Sequence, residues 1–180
     1  MGEQHVTEAE LSEMGDDARF ELFRGVLYPY QASGGLHGLT AGHFAGELFL
    51  WSEQALPGHL FVKTGLLLER EPDTVLAPDL TFLRDERMPT RSELGEWLKV
   101  PPDIVVEIRS PANSAIPLED KIGVYLAAGV GLVIAAFLDD QTLLVHTRGS
   151  QPELLESGDT LDGREILPEL RVPVSRFFRG

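Results

Sequence analysis

The chain predicts a mixed α/β (α+β) fold, a central mixed β-sheet flanked by helices, and three observations carry that expectation. Strand-like runs arrive in hairpin order, two long helical patterns lie among them, and Val130 to Leu138 is nearly all apolar, as a strand covered on both faces would be. At 180 residues and 43% hydrophobic composition the chain suits one domain, 1–180, with 1–18 as an N-terminal helical extension.

In order, Thr7 with Glu10 three residues on forms a capping box for a helix through about Met14. Phe20 to Tyr30 reads as two short strands around Arg24 and Gly25. A glycine-rich connection from Gln31 leads into a helix from Leu36 to about Leu56, with Leu39, Phe44, Leu48 and Trp51 as its recurring apolar positions. Gly42 and Gly46 lie four apart on one side, so another backbone should approach closely there. His59 to Glu69 has strand character, and Pro72-Asp73 turns the chain into a strand on which Leu76, Leu80 and Phe82 share a face.

A short helix is expected from Ser92 to Lys99, stopped by Pro101-Pro102. A strand through Ile104, Val106 and Ile108 follows, then a loop over Ser110 to Pro117 and a helix ending at Gly129 with Leu118, Ile122, Tyr125 and Leu126 buried. Strands at Val130 to Leu138 and Thr142 to Thr147 come next, and small strands close the chain.

Composition removes several functions. The chain has no cysteine, which excludes disulfides, thiol catalysis and cysteine-bound zinc. Its start carries no apolar signal region and no run is long enough to cross a bilayer, so a soluble, cytoplasmic protein with no membrane partner is expected. The formal net charge of −14 opposes binding of nucleic acid by a general cationic surface. A local site can still bind it, because acids that hold a metal have their charge partly cancelled.

The chemistry concentrates between Asp79 and Lys121. Strand alternation turns Asp79 away from Leu80 and Phe82, and turns Glu107 away from Val106 and Ile108. Were the two strands neighbours, two carboxylates would converge, as Mg2+ or Mn2+ requires. Lys121, at the border of a helical apolar stripe, could lay its stem on the core and extend its ammonium toward them, in a pocket open to solvent. Spacing alone leaves a plainer arrangement open: Asp79 as a turn residue, Glu107 and Lys121 as solvated positions. The branched neighbours of Glu107 favour the convergent one, since an unpartnered buried carboxylate is costly. Hydrolysis of sugars by paired carboxylates would also use Asp79 and Glu107 but gives Lys121 no duty.

The blocks FELFRGVLYPY, LHG, APDLTFLRDERMP, PPDIVVEIRSPANS, LEDKIGVYLAAGV and GDTLDGREILPELRVPVSRFF occur in that order over Phe20 to Phe178. In this the chain resembles the Uma family of restriction-endonuclease candidates, a branch of the PD-(D/E)XK nuclease-like superfamily. The resemblance implies a restriction-endonuclease-like fold and a metal-dependent endonuclease acting on DNA. Asp79 and Glu107 would hold the metal. The superfamily's usual lysine position is occupied by Arg109, left as a phosphate contact, and Lys121 takes the lysine's role. Arginine replaces lysine poorly in proton transfer because it stays protonated.

Glu21 matches an acid of the family, either near the metal or solvated on its strand. His37 matches the family's His-Gly, there to contact phosphate or shuttle a proton, or else to serve as a cap or packing residue. The resemblance also makes a homodimer plausible, with Trp97 or Phe177 as exposed apolar contacts. The competing expectation is a nuclease fold retained as a binding or assembly module, consistent with the acidic charge and with arginine at 109.

Overall fold

Thr7 starts α1 (Glu8–Glu13) through the expected capping box, its hydroxyl accepting from the Glu10 N–H while the Glu10 carboxylate accepts the Thr7 N–H at 2.8 Å. Such a cap contributes about 1 kcal/mol. This is a computed structural model, and it describes residues 5–15, 19–29, 32–109 and 115–180. Tyr30, Gln31, the loop residues 110–114 and part of the N-terminal extension, assigned above from sequence, lie outside the described residues.

β1 (Phe20–Phe23) and β2 (Val26–Pro29) form a hairpin turning at Arg24 and Gly25, with φ of 49° and 79°. Two positive φ values are what a tight hairpin needs to match strand twist. α2 (Gly35–Ser52) follows, then β3 (Gly58–Val62), β4 (Leu66–Glu69), β5 (Thr74–Leu76) and β6 (Leu80–Arg84). β7 (Ile104–Arg109), α3 (Leu118–Ala128), β8 (Leu132–Phe137) and β9 (Thr142–Thr147) complete the centre, and β10 (Glu153–Leu155), β11 (Thr160–Asp162) and β12 (Arg171–Pro173) close the chain.

A six-stranded sheet runs in the order β10-β9-β8-β7-β6-β3, and a four-stranded sheet runs β2-β1-β5-β4. β7 and β8 are parallel, as the α3 crossover between them allows, while the other pairs are antiparallel. The mixed sheet flanked by helices is the expected fold class.

Alternation on β7 divides the core. Ile104, Val106 and Ile108 pack with Phe44, Leu48 and Trp51 of α2, together with Leu170, Val174 and Phe177 from the C-terminal segment. Val105 packs on the other face with Ile122, Val124 and Tyr125 of α3. Phe44 and Phe177 stack at 4.0 Å between ring centroids, a contact worth about 1 kcal/mol beyond area burial.

Several expectations change. His59 to Glu69 is two strands in two different sheets, because the chain leaves the edge of the six-stranded sheet at Lys63. Leu76 belongs to β5 and packs on the α3 side, whereas Leu80 and Phe82 on β6 face α2. The helix expected at 92–99 is a single 3-10 turn, Glu93–Gly95. Leu36 and Leu39 are exposed and Phe177 is fully buried. α2 is apolar on nearly every side, so periodicity could not say which side the sheet would cover.

Candidate functional site

Register brings the acids together. β6 and β7 pair antiparallel with Leu80 opposite Val106, and one further step places Asp79 opposite Glu107. The Asp79 side chain crosses to β7, where Oδ2 accepts the Ile108 N–H at 2.6 Å. On the other flank Val62 lies opposite Leu80, so the same step places Lys63 beside Asp79. Lys63 Nζ stands 2.6 Å from Asp79 Oδ1, and His37 Nε2, from the first turn of α2, stands 3.2 Å from the same oxygen.

The second half of the cluster is built by α3 and β1. Lys121 Nζ lies 2.8 Å from Glu21 and 3.3 Å from Glu107 Oε1. Tyr125, one turn on, donates its hydroxyl to Glu107 Oε1 at 2.7 Å. Glu21 Oε1 also accepts the Ala77 N–H at 3.0 Å, which ties β1 to the connection before β6. Glu21, His37, Asp79, Glu107 and Lys121 are each only 3 to 6% exposed.

The expected pocket open to solvent is therefore corrected to a nearly closed cluster. Its solvent-facing member is Lys63, whose side chain is 43% exposed. Beside it lies a cleft of about 310 Å³ whose lining includes Phe20, Lys63, Thr64, Ala77, Glu96 and Trp97.

Burial acts unequally on the charges. It pushes the Asp79 carboxyl up, but His37, Lys63 and the Ile108 N–H outweigh it and hold that group below its ordinary value. Glu107 goes the other way, raised by burial and by the charges of Asp79 and Glu21 despite Lys121 and Tyr125. Burial opposes the charged form of Lys121, yet Glu107 and Glu21 outweigh it and raise the group. Tyr125 is raised well above its ordinary value by burial and the neighbouring carboxylates, so it remains a donor.

Of the sequence-selected residues, the structure brings Glu21, Glu107 and Lys121 into contact, with Asp79 and His37 paired alongside. Arg109 ends β7 half-buried, and none of the described acids forms an ion pair with it. Sequence reasoning missed Lys63 and gave Tyr125 only a packing role. The β3/β6 register would have exposed Lys63, but that pairing was hidden while residues 59–69 read as one strand.

A divalent cation would meet hard oxygen donors here. Asp79 Oδ1 is buried, with Lys63 Nζ at 2.6 Å and His37 Nε2 at 3.2 Å beside it. No group of three or more His, Cys, Asp or Glu is placed to hold a metal among the described residues. Mg2+ commonly uses one or two carboxylates with water and phosphate oxygens for the rest, so the Asp79 and Glu107 donor chemistry fits it.

The Uma2 family model, described as "Putative restriction endonuclease", matches residues 6–175. The chain belongs to the Uma2 family. No curated protein matches it. A crystal structure from Anabaena variabilis, described as a putative nuclease belonging to DUF820, superimposes with a TM-score of 0.83 at 19% identity, covering 96% of this chain and 97% of that one. That likeness establishes the fold: this Uma2 chain has the nuclease-like architecture. None of the helices among the described residues is long and apolar enough to cross a membrane.

Proposed function

We propose that this Uma2 protein is an endonuclease that hydrolyses phosphodiester bonds in DNA with Mg2+ or Mn2+. The observation that carries the reading is the pairing of Asp79 and Glu107 across the β6/β7 register, with Lys121 held against Glu107. Asp79 and Glu107 would hold the cation, which when bound supplies charge to a phosphoryl oxygen and makes a coordinated water more acidic.

Lys121 is positioned to stabilise charge on the phosphoryl oxygens and to orient water. Glu21 sets the lysine's position through a shared contact at 2.8 Å. His37 holds Asp79 from α2, and Arg109 serves as a phosphate contact at the end of β7. The cleft beside Lys63 is the approach for the strand, with Phe20 and Trp97 as apolar walls.

The test is nicking of supercoiled plasmid in Mg2+ or Mn2+, with Mn2+ binding followed by calorimetry. Wild type should bind and nick, Asp79→Ala should lose both, and Lys121→Ala should lose nicking. No binding by wild type at millimolar metal would turn the reading to a nuclease fold used for binding or assembly. The closed cluster favours that second reading, since three acids already have cationic neighbours.

A further inference from the structure

We propose that the outer face of α2 is the contact surface between two copies of this chain, crossing antiparallel about a two-fold axis. Leu36, Leu39, Phe49 and Leu50 are 56, 44, 55 and 56% exposed on this helix. Gly38, Gly42 and Gly46 are also exposed, and a Cβ built on any of them meets none of the described residues within 4 Å. Helical periodicity puts Gly42 and Gly46 along the middle of the stripe, with Leu39 and Leu50 on one flank and Phe49 on the other. Among the described residues no backbone approaches these glycines closely, and a second chain supplies the approach that their spacing calls for.

Charge selects the occupant. The helix carries a single carboxylate, Glu47, and Arg176 at 2.8 Å with Arg179 at 3.5 Å neutralises it. In a chain of net charge −14 this is a face on which two copies can meet without local repulsion. It carries no lysine or arginine, so neither nucleic acid nor an anionic membrane suits it.

A two-fold axis midway between Gly42 and Gly46 sets Leu39 against the partner's Phe49 and Gly38 under the partner's Leu50. Residue and partner then exchange roles, as an isologous contact demands. With about 150–250 Å² for a large exposed side chain, Leu39, Phe49 and Leu50 at half exposure and the glycine backbone between them give roughly 300–450 Å² per copy. The pair buries roughly 600–900 Å², the size of a weak contact, so a concentration-dependent dimer is expected. This pairing holds whether or not the protein cuts DNA.

Sedimentation velocity from about 1 to about 100 µM, bracketing a micromolar Kd, tests it on the full chain. Wild type should pass from monomer to dimer, and Phe49→Glu should stay monomeric throughout. Gly42→Leu should also stay monomeric while its Tm does not fall, because leucine favours helix and the space above Gly42 is open in the single chain. A wild type that is monomeric throughout overturns the proposal. So does a dimer whose Kd changes less than about 3-fold in both variants, less than 1 kcal/mol.

Discussion

Lys63 and Asp79 meet at 2.6 Å across the β3/β6 register, one side chain 43% exposed and the other 3%. Lys63 holds a left-handed backbone, φ 49°, at the residue where β3 leaves the sheet. An exposed ammonium thus reaches inward to a buried carboxylate.

Lys63→Ala should lower folding stability by about 1–3 kcal/mol, since it leaves the buried Asp79 carboxylate without its nearest cation. It should tighten Mn2+ binding, because one competing positive charge leaves Asp79. Calorimetry on the variant reads both binding and its heat, and an affinity equal to wild type would mean that Lys63 does not compete with metal.

Lys121→Met should be severe for a different reason. It leaves Glu21 and Glu107 buried with their shared cation gone, a loss of about 3–5 kcal/mol. Tyr125→Phe removes one donor from Glu107 while keeping the ring, and should cost about 2 kcal/mol. Urea unfolding of both variants checks the order. Glu21→Gln added to Lys121→Met should recover part of the stability.

Asp103 separates structural acids from those of the site. Its carboxylate accepts the Arg84 N–H at 3.0 Å and pairs with Arg87 at 2.8 Å, clamping the end of β6 to the start of β7. Asp103→Ala should lower stability by about 2–4 kcal/mol and leave Mn2+ affinity per folded molecule unchanged. Reduced affinity in the folded variant would mean that the clamp also shapes the site.

His146 predicts an acid limb. It sits on β9 opposite Val133, its Nε2 lacks a partner among the described residues, and burial lowers its affinity for a proton below the ordinary value of 6.5. The unfolded chain then takes up the proton first. Stability is full above about pH 6.5 and falls as pH drops from there toward the depressed value. His146→Gln should flatten that part of the profile, read as Tm against pH from 7.5 to about 5, whereas an unchanged slope would place the acid sensitivity elsewhere.

Strand alternation was enough to orient Glu107, because Ile104, Val106 and Ile108 repeat with period two and leave the acid no choice of face. The capping box of α1 and the Gly129 helix end were legible for the same reason: each depends on neighbours within a turn. Lys63 was not legible, since its role follows from β3 pairing with β6 across the connection that holds β4 and β5. The buried side of α2 was likewise hidden by residues apolar all round.

The sequence by itself determined the element types at α1, α3, β7 and β8 and the strand face that carries Glu107, because local dihedral preferences and side-chain periodicity act over a few residues. Only the tertiary structure decided that Glu21 shares Lys121 with Glu107, that Lys63 and His37 guard Asp79, and that the cluster is closed. Those contacts join residues up to 100 positions apart, and their geometry is set by sheet register and by which helix face the sheet covers, neither of which any short stretch of chain encodes.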